Sequence, residues 1–133
     1  MDRKQLMGLF NKQPRIGVLA TSNKLGDVNA AVFGSPRMID ENTVVMGIGP
    51  NRSYRNLERN PKAVFIVVEP GKTPADWVGA RVYLEAVEME TGGPFFDEIK
   101  RGVAKAAGQQ AADMLQAAIR FRITDVRPII DRA

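Results

Sequence analysis

The sequence predicts a mainly β domain with α decoration: a six-stranded antiparallel barrel forming a single domain over residues 1–133. Three observations predict it. Six apolar runs have strand patterning, whereas helical spacing is confined to a few stretches. One of those runs is long and changes the parity of its alternation midway, as a strand bent around a barrel does. A chain of 133 residues with 44% hydrophobic content is enough for one sizeable core.

At the N-terminus Leu6, Met7, Leu9 and Phe10 fall at helical spacing with Lys4, Gln5, Asn11 and Lys12 on the other side, and Pro14 stops the element. The run 15–21 (RIGVLAT) is a strand, and 22–27 (SNKLGD) has the Asn and Gly of a hairpin turn. Residues 28–33 (VNAAVF) return as a second strand, closing at Gly34, Ser35 and Pro36. After the polar turn Asp40, Glu41, Asn42, residues 43–48 (TVVMGI) make a third. Short turns between successive strands predict an antiparallel meander.

Residues 53–59 read as a helix of about two turns, with Tyr54, Leu57 and the aliphatic part of Glu58 on one face and Asn60 and Pro61 ending it. The run 63–68 (AVFIVV) reads as a strand buried on both faces, and 69–76 (EPGKTPAD) as a loop. Residues 78–90 (VGARVYLEAVEME) form the long strand, with its parity slip near Ala86. The turn 91–94 (TGGP) opens a helical stretch through Phe95, Phe96, Ile99 and Val103, continued by Met114 and Leu115, with Gly108 placed to divide it in two. In the closing strand, 118–126, Ile119, Phe121 and Ile123 alternate with Arg120, Arg122 and Thr124, so one face is buried and the other cationic.

Composition narrows the chemistry. There is no cysteine and no histidine, which removes disulfides, thiolate nucleophiles, Cys/His metal sites, Ser-His-Asp triads and imidazole acid–base work. No carboxylate cluster is evident, so no metal site is expected, and any reaction has to come from a cofactor. The net charge of +4 favours small anionic ligands, though a solvated mixed surface is the preferred account of so mild an excess. No apolar run is long enough for a signal-peptide core or a membrane span, so a cytoplasmic location and no membrane partner are expected. A nucleic-acid barrel using Arg120, Arg122, Arg127, Lys4 and Lys12 is not expected, because a 7% aromatic content, mostly at core positions, leaves few stacking platforms.

The most informative segment is 47–61 (GIGPNRSYRNLERNP), a strand running through a Gly-Pro turn into a short helix. The first N–H groups of a helix lack intrahelical partners and carry partial positive charge, so Asn51, Arg52 and Ser53 form a candidate anion site. A converging guanidinium, hydroxyl and backbone set suits a terminal phosphate. The alternative is that Ser53 only caps the helix while Arg52 and Arg55 are solvated.

With VNAAVF in the second strand, TVVMGIGPNRSYRNLERNPKAVFIVV across the third strand, helix and fourth strand, and METGGPFFDEI before the helical insert, the chain resembles the FMN-binding split-barrel family. That family is typified by pyridoxamine 5′-phosphate oxidase, and the resemblance extends to its small FMN-binding members. It spans about residues 16–126, and Asn56, Leu57, Asn60 and Pro61 are its more specific positions. It implies a six-stranded antiparallel split β-barrel of FMN-binding type, with the flavin phosphate on Arg52 and Ser53 beside Asn51. The isoalloxazine would lie along the second and third strands on largely backbone contacts, at Asn29, Ala30, Ala31 and Val32 and at Gly47, Ile48 and Gly49. Ordinary packing is the competing account of Ala30 and Ala31.

The resemblance further implies a homodimer with the flavin at the subunit interface, where Arg120 and Arg122 would reach the partner's cofactor unless they are simply an exposed strand face. Trp77 is expected in the core or the interface. The implied function is electron or hydride transfer through FMN, as a small flavin reductase or oxidase or as an electron carrier with a small-molecule or protein redox partner. A non-catalytic flavin or deazaflavin binding or storage protein is the alternative. Pyridoxamine phosphate oxidase activity itself is not expected, because the C-terminal arginine and histidine segment of those enzymes has no counterpart here, and no histidine is present to ligate heme iron. No side chain is assigned as an acid or base.

Overall fold

The first helix, α1 (Arg3–Phe10), begins at a reciprocal cap: the Asp2 carboxylate accepts from Gln5 N at 2.8 Å, and Gln5 Oε1 accepts from Asp2 N at 2.9 Å. Its apolar stripe, Leu6, Leu9 and Phe10, is buried. In this computed structural model, which describes residues 1–131, the elements that follow are β1 (Ile16–Ser22), β2 (Val28–Val32), β3 (Arg37–Asp40), β4 (Thr43–Ile48), α2 (Arg52–Arg59), β5 (Lys62–Glu69), a 3₁₀ turn at Pro74–Asp76, β6 (Val78–Glu90), α3 (Pro94–Ala107), α4 (Gln109–Asp113) and β7 (Ala117–Pro128). The last two residues of the expected 1–133 domain lie outside the described residues.

All strand pairs are antiparallel, in the order β2-β1-β5-β6-β7-β4-β3. The strand alternation puts Leu19, Phe65, Val67, Val82, Leu84, Val44, Met46, Ile119 and Phe121 on the inner face, where they form one core with the α1 stripe. A fully buried Val, Leu or Phe contributes about 1.5–3 kcal/mol, so this inner face is the main source of stability.

Two expectations need correction. Among the described residues the sheet has seven strands, not six: the additional strand, β3, has only Met38 of its four residues buried, which leaves no alternation to read in the sequence. The first three predicted strands are also not a meander. β2 pairs only with β1, while β4 pairs with β7 and β3, so these two runs lie towards opposite ends of the sheet. Turn chemistry reports that the chain reverses, but the partner is chosen by burial, and the inner face of β4 is buried against β7 from the far end of the chain.

Other features agree. Asn23 holds the β1–β2 turn by accepting from Leu25 N and Asp27 N at 2.9 and 3.0 Å. The β6–β7 register shifts between Ala86 and Glu88, where the parity slips, and Val87 projects outward. Gly108, at φ +96°, separates α3 from α4. The fourth predicted strand, now β5, is buried on one face only, since Val64, Ile66 and Val68 are half-covered. Trp77 is 42% exposed and so does not belong to this chain's core.

The split lies between β2 and β3, and Arg15 spans it. Its guanidinium donates to Phe10 O (2.9 Å), Phe33 O (3.2 Å) and Pro36 O (2.6 Å) while stacking over the rings of Phe10 and Phe65 at 5.6 and 5.2 Å. Burial lowers the Arg15 pKa, yet arginine remains charged. Gly17 makes the arrangement possible, because a Cβ there would stand 2.2 Å from Phe65 Cζ. Asn11 ties α1 to β3, donating to Met38 O and accepting from Met38 N, each at 2.8 Å.

Candidate functional site

The α2 helix is seated on β1 and β2 by polar contacts beneath it. Asn51 is the N-cap, its Oδ1 accepting from Tyr54 N at 3.0 Å. The capping role considered for Ser53 therefore belongs to Asn51. Ser53 instead faces inward at 1% exposure, and its Oγ accepts from Asn29 Nδ2 at 3.0 Å. One turn later Asn56 donates to Thr21 Oγ1 at 3.1 Å. Leu57 enters the core, Asn60 Oδ1 accepts from Lys62 N at 3.1 Å, and Pro61 O accepts from Ala86 N at 2.8 Å. The asparagine-leucine and asparagine-proline positions thus fix where α2 sits.

What α2 presents outward is cationic. Arg52, Arg55 and Arg59 are exposed and, with Asn23, Asp27, Val28 and Asn56, line a groove of about 580 Å³ against the β1–β2 turn. The first helical backbone bond, Arg55 N to Asn51 O at 3.1 Å, leaves the Arg52 and Ser53 N–H groups ahead of it. Because an amide nitrogen only donates, Asn29 occupies Ser53 Oγ as an acceptor and leaves its O–H free to donate. One guanidinium and two backbone N–H groups at one helix end, with the buried Ser53 hydroxyl behind them, suit a phosphate monoester.

The strands flanking this helix differ in what they leave open. β2 is an edge strand. Its Asn29 and Ala31 stand opposite Thr21 and Leu19 on the inner side, Ala30 stands opposite Ala20 on the outer side, and Val28 and Val32 project outward at 79% and 74% exposure. An edge offers unpaired backbone N–H and C=O groups in alternation, a pattern complementary to the polar rim of a flat heterocycle. On β4, Gly47 and Ile48 pair with Ala118 and Ala117, and their carbonyls accept from Ser35 Oγ and Gln116 N, both at 2.8 Å. A Cβ on Gly47 would come within 2.8 Å of Leu115 and 3.2 Å of Ile99, so close packing of the helical insert accounts for that glycine. Gly49 accepts from Asn51 N at 2.9 Å in the turn to α2.

Arg120 and Arg122 lie elsewhere, on the outer face of β7, and that face is not the cationic surface expected from alternation. Arg120 Nε meets Glu88 Oε1 at 2.9 Å and its guanidinium stacks over Phe95 at 4.7 Å, while Arg122 Nη2 meets Glu85 Oε1 at 2.5 Å. Cross-strand register with β6 supplies the carboxylates. Among the described residues no hydrogen bond or ion pair joins either arginine to α2. The structure therefore brings together Asn29, Asn51, Arg52 and Ser53, and sets the two arginines of β7 apart. Arg59, Asn23 and Asp27 line the groove beside that set, which the sequence reading did not anticipate; the 52, 55, 59 spacing of the arginines along one helix face was the available signal. Among the described residues no three carboxylates come together as a metal site, and no helix is long and apolar enough to cross a membrane.

A scan of family models and a search of curated proteins found no match. Solved structures do match. The chain is similar to an FMN-binding protein from Syntrophomonas wolfei subsp. wolfei at 27% identity and a TM-score of 0.85, covering 100% of this chain and 91% of that one. HupZ from Group A Streptococcus matches at 20% identity and a TM-score of 0.77, covering 100% and 98%. A structure described as a candidate pyridoxamine 5′-phosphate oxidase from Lactobacillus delbrueckii matches at 19% and 0.67, covering 92% and 90%. At their lower identities the last two speak to the fold alone. With the same split antiparallel sheet along its whole length, this chain has the fold of the pyridoxamine 5′-phosphate oxidase-like FMN-binding split-barrel proteins.

Proposed function

We propose that this protein binds FMN non-covalently and acts in electron or hydride transfer, as a small flavin reductase or oxidase or as an electron carrier in the cytoplasm. The observation that carries the reading is the donor set at the start of α2, placed beside the open edge of β2 by the Asn29–Ser53 hydrogen bond. Arg52, the Ser53 hydroxyl and the adjoining backbone N–H groups would hold the phosphate. The backbone of Asn29, Ala30, Ala31 and Val32 would meet the polar rim of the ring. Flavin itself supplies the redox chemistry. The chain's part is to bind, orient and shield it, and with no histidine or cysteine no side chain is assigned a proton.

A second copy of the chain is part of this reading. Ile16, Val28 and Val32 are exposed, and with Val18, Val64 and Ile66 they form an apolar outer face over β2, β1 and β5 beside a hollow of about 600 Å³ lined by Ala20, Val64 and Tyr83. An apolar patch of this kind favours burial in an interface. Since β2 belongs both to that face and to the proposed ring site, a partner copy would cover the flavin. Arg120 and Arg122 are already neutralised by Glu88 and Glu85, so the phosphate is assigned to α2.

The test is an absorption spectrum of the purified protein followed by titration of stripped protein with FMN and riboflavin. The expected result is flavin bands, a preference for FMN, and a loss of about 1.5–3 kcal/mol in FMN binding for Arg52→Ala with riboflavin unaffected. Protein that is colourless and indifferent to both ligands would overturn the reading. Tight FMN binding without reduction by nicotinamides or redox proteins would point to the storage role.

A further inference from the structure

We infer that the groove between α2 and the β1–β2 turn is a second anion subsite, built to take the further phosphoryl group of a diphosphate. The flavin part of this inference rests on the function proposed above, whereas the anion site itself does not. Arg52, Arg55 and Arg59 follow one helix face, and seven residues at 1.5 Å each separate the first from the last by about 10 Å along the axis. One phosphate monoester at the helix start engages Arg52 and leaves the other two guanidinium groups beyond it.

Those two are a like-charge pair four residues apart, an arrangement that disfavours a helix unless something compensates it. No ion pair among the described residues does so: none of the three arginines makes one, and the contact made by Arg55 is with Pro50 O at 3.4 Å. The carboxylate on the opposite wall, Asp27, already accepts from Asn23 Nδ2 at 2.9 Å, and Asn23 is itself held by the turn. Glu58, the acidic residue of α2, is exposed and makes no ion pair among the described residues. The groove is thus open and concave, with three arginines against the one Asp27 carboxylate, and its β1–β2 wall is held by Asn23. Guanidinium forks suit the paired oxygens of a phosphoric anhydride. Its source would be either a flavin dinucleotide or a nicotinamide dinucleotide donor.

The probes are inorganic phosphate and pyrophosphate, titrated calorimetrically into the full chain and into an Arg55→Gln/Arg59→Gln variant whose exposed positions leave the core untouched. The wild type should bind pyrophosphate at least about tenfold more tightly than phosphate, and the variant should lose that preference while its FMN affinity stays within about twofold. Equal affinities in the wild type, or a preference that survives in the variant, would overturn the subsite. Pyrophosphate binding of the expected kind in a chain that ignores flavins would sink the proposed function and keep the subsite. Normal FMN binding with no pyrophosphate preference would do the reverse. An Arg55/Arg59-dependent gain of FAD over FMN assigns the anhydride to the cofactor, and such a gain for NAD⁺ on FMN-loaded protein assigns it to the donor.

Discussion

Arg15→Ala removes the group that bridges the open side of the barrel, and its cost can be worked from the contacts. Three carbonyls, those of Phe10, Phe33 and Pro36, lose a charged donor. A hydrogen bond to a charged group is worth about 1.5–3 kcal/mol when buried, but Arg15 is only half-buried and water can reach the freed carbonyls, so about 1 kcal/mol each is appropriate. Stacking over Phe10 and Phe65 adds about 0.5–1 kcal/mol, and releasing the side chain returns about 1–2 kcal/mol of entropy. The net loss should be about 1.5–3 kcal/mol. With an unfolding entropy of about 2.1 cal/mol/K per residue, that lowers Tm by about 5–11 °C. Urea denaturation and calorimetry would measure it, with exposed Lys4→Ala as the control. Arg15→Lys keeps the charge but loses the fork, and should forfeit more than half as much. A loss below about 1 kcal/mol for Arg15→Ala would refute the view that this side chain closes the barrel.

Gly47→Val forces a branched side chain against Leu115 and Ile99 and should destabilise by about 1–3 kcal/mol, with earlier proteolysis of α3 as the local sign. Val28→Lys/Val32→Lys places charges on the exposed apolar face; analytical ultracentrifugation should find a dimer for the wild type and a folded monomer for the variant. Asp40 has its carboxyl held below the ordinary aspartate range, first by the backbone N–H of Asn42 and then by Thr43. Its folded pKa is depressed, so its contribution is present above the unfolded value of about 3.9 and is lost as pH falls through the folded one. Asp40→Asn should flatten the stability profile in that acid window alone, as seen in denaturation curves collected across it.

Much of this molecule was legible in its sequence because the relevant signals are local. The alternation of Ile119, Phe121 and Ile123 is a property of one strand with one buried face, and the break near Ala86 is a property of one bulge. Gly108 divides the helical insert because a positive φ is a single-residue requirement. The proposed anion site at Asn51, Arg52 and Ser53 follows from where a helix begins. The three roles within it did not follow: which residue caps, which faces inward and which faces the groove depends on how α2 is rotated onto β1 and β2. That rotation is set by Asn29 and Thr21, which lie more than twenty positions earlier.

By itself, then, the sequence determined the class of fold, the places of its principal strands and helices, the exclusion of histidine and cysteine chemistry, and the location of a phosphate-sized donor set. The tertiary structure decided the order of the strands, the existence of β3, and the separation of Arg120 and Arg122 from the α2 site. It also decided what the glycine at 47 is for. Periodicity reports which face of an element is buried, whereas pairing, register and charge neutralisation depend on residues far away in the chain. Arg120 meets Glu88, thirty-two positions before it, through the register of two strands that alternation alone leaves unspecified.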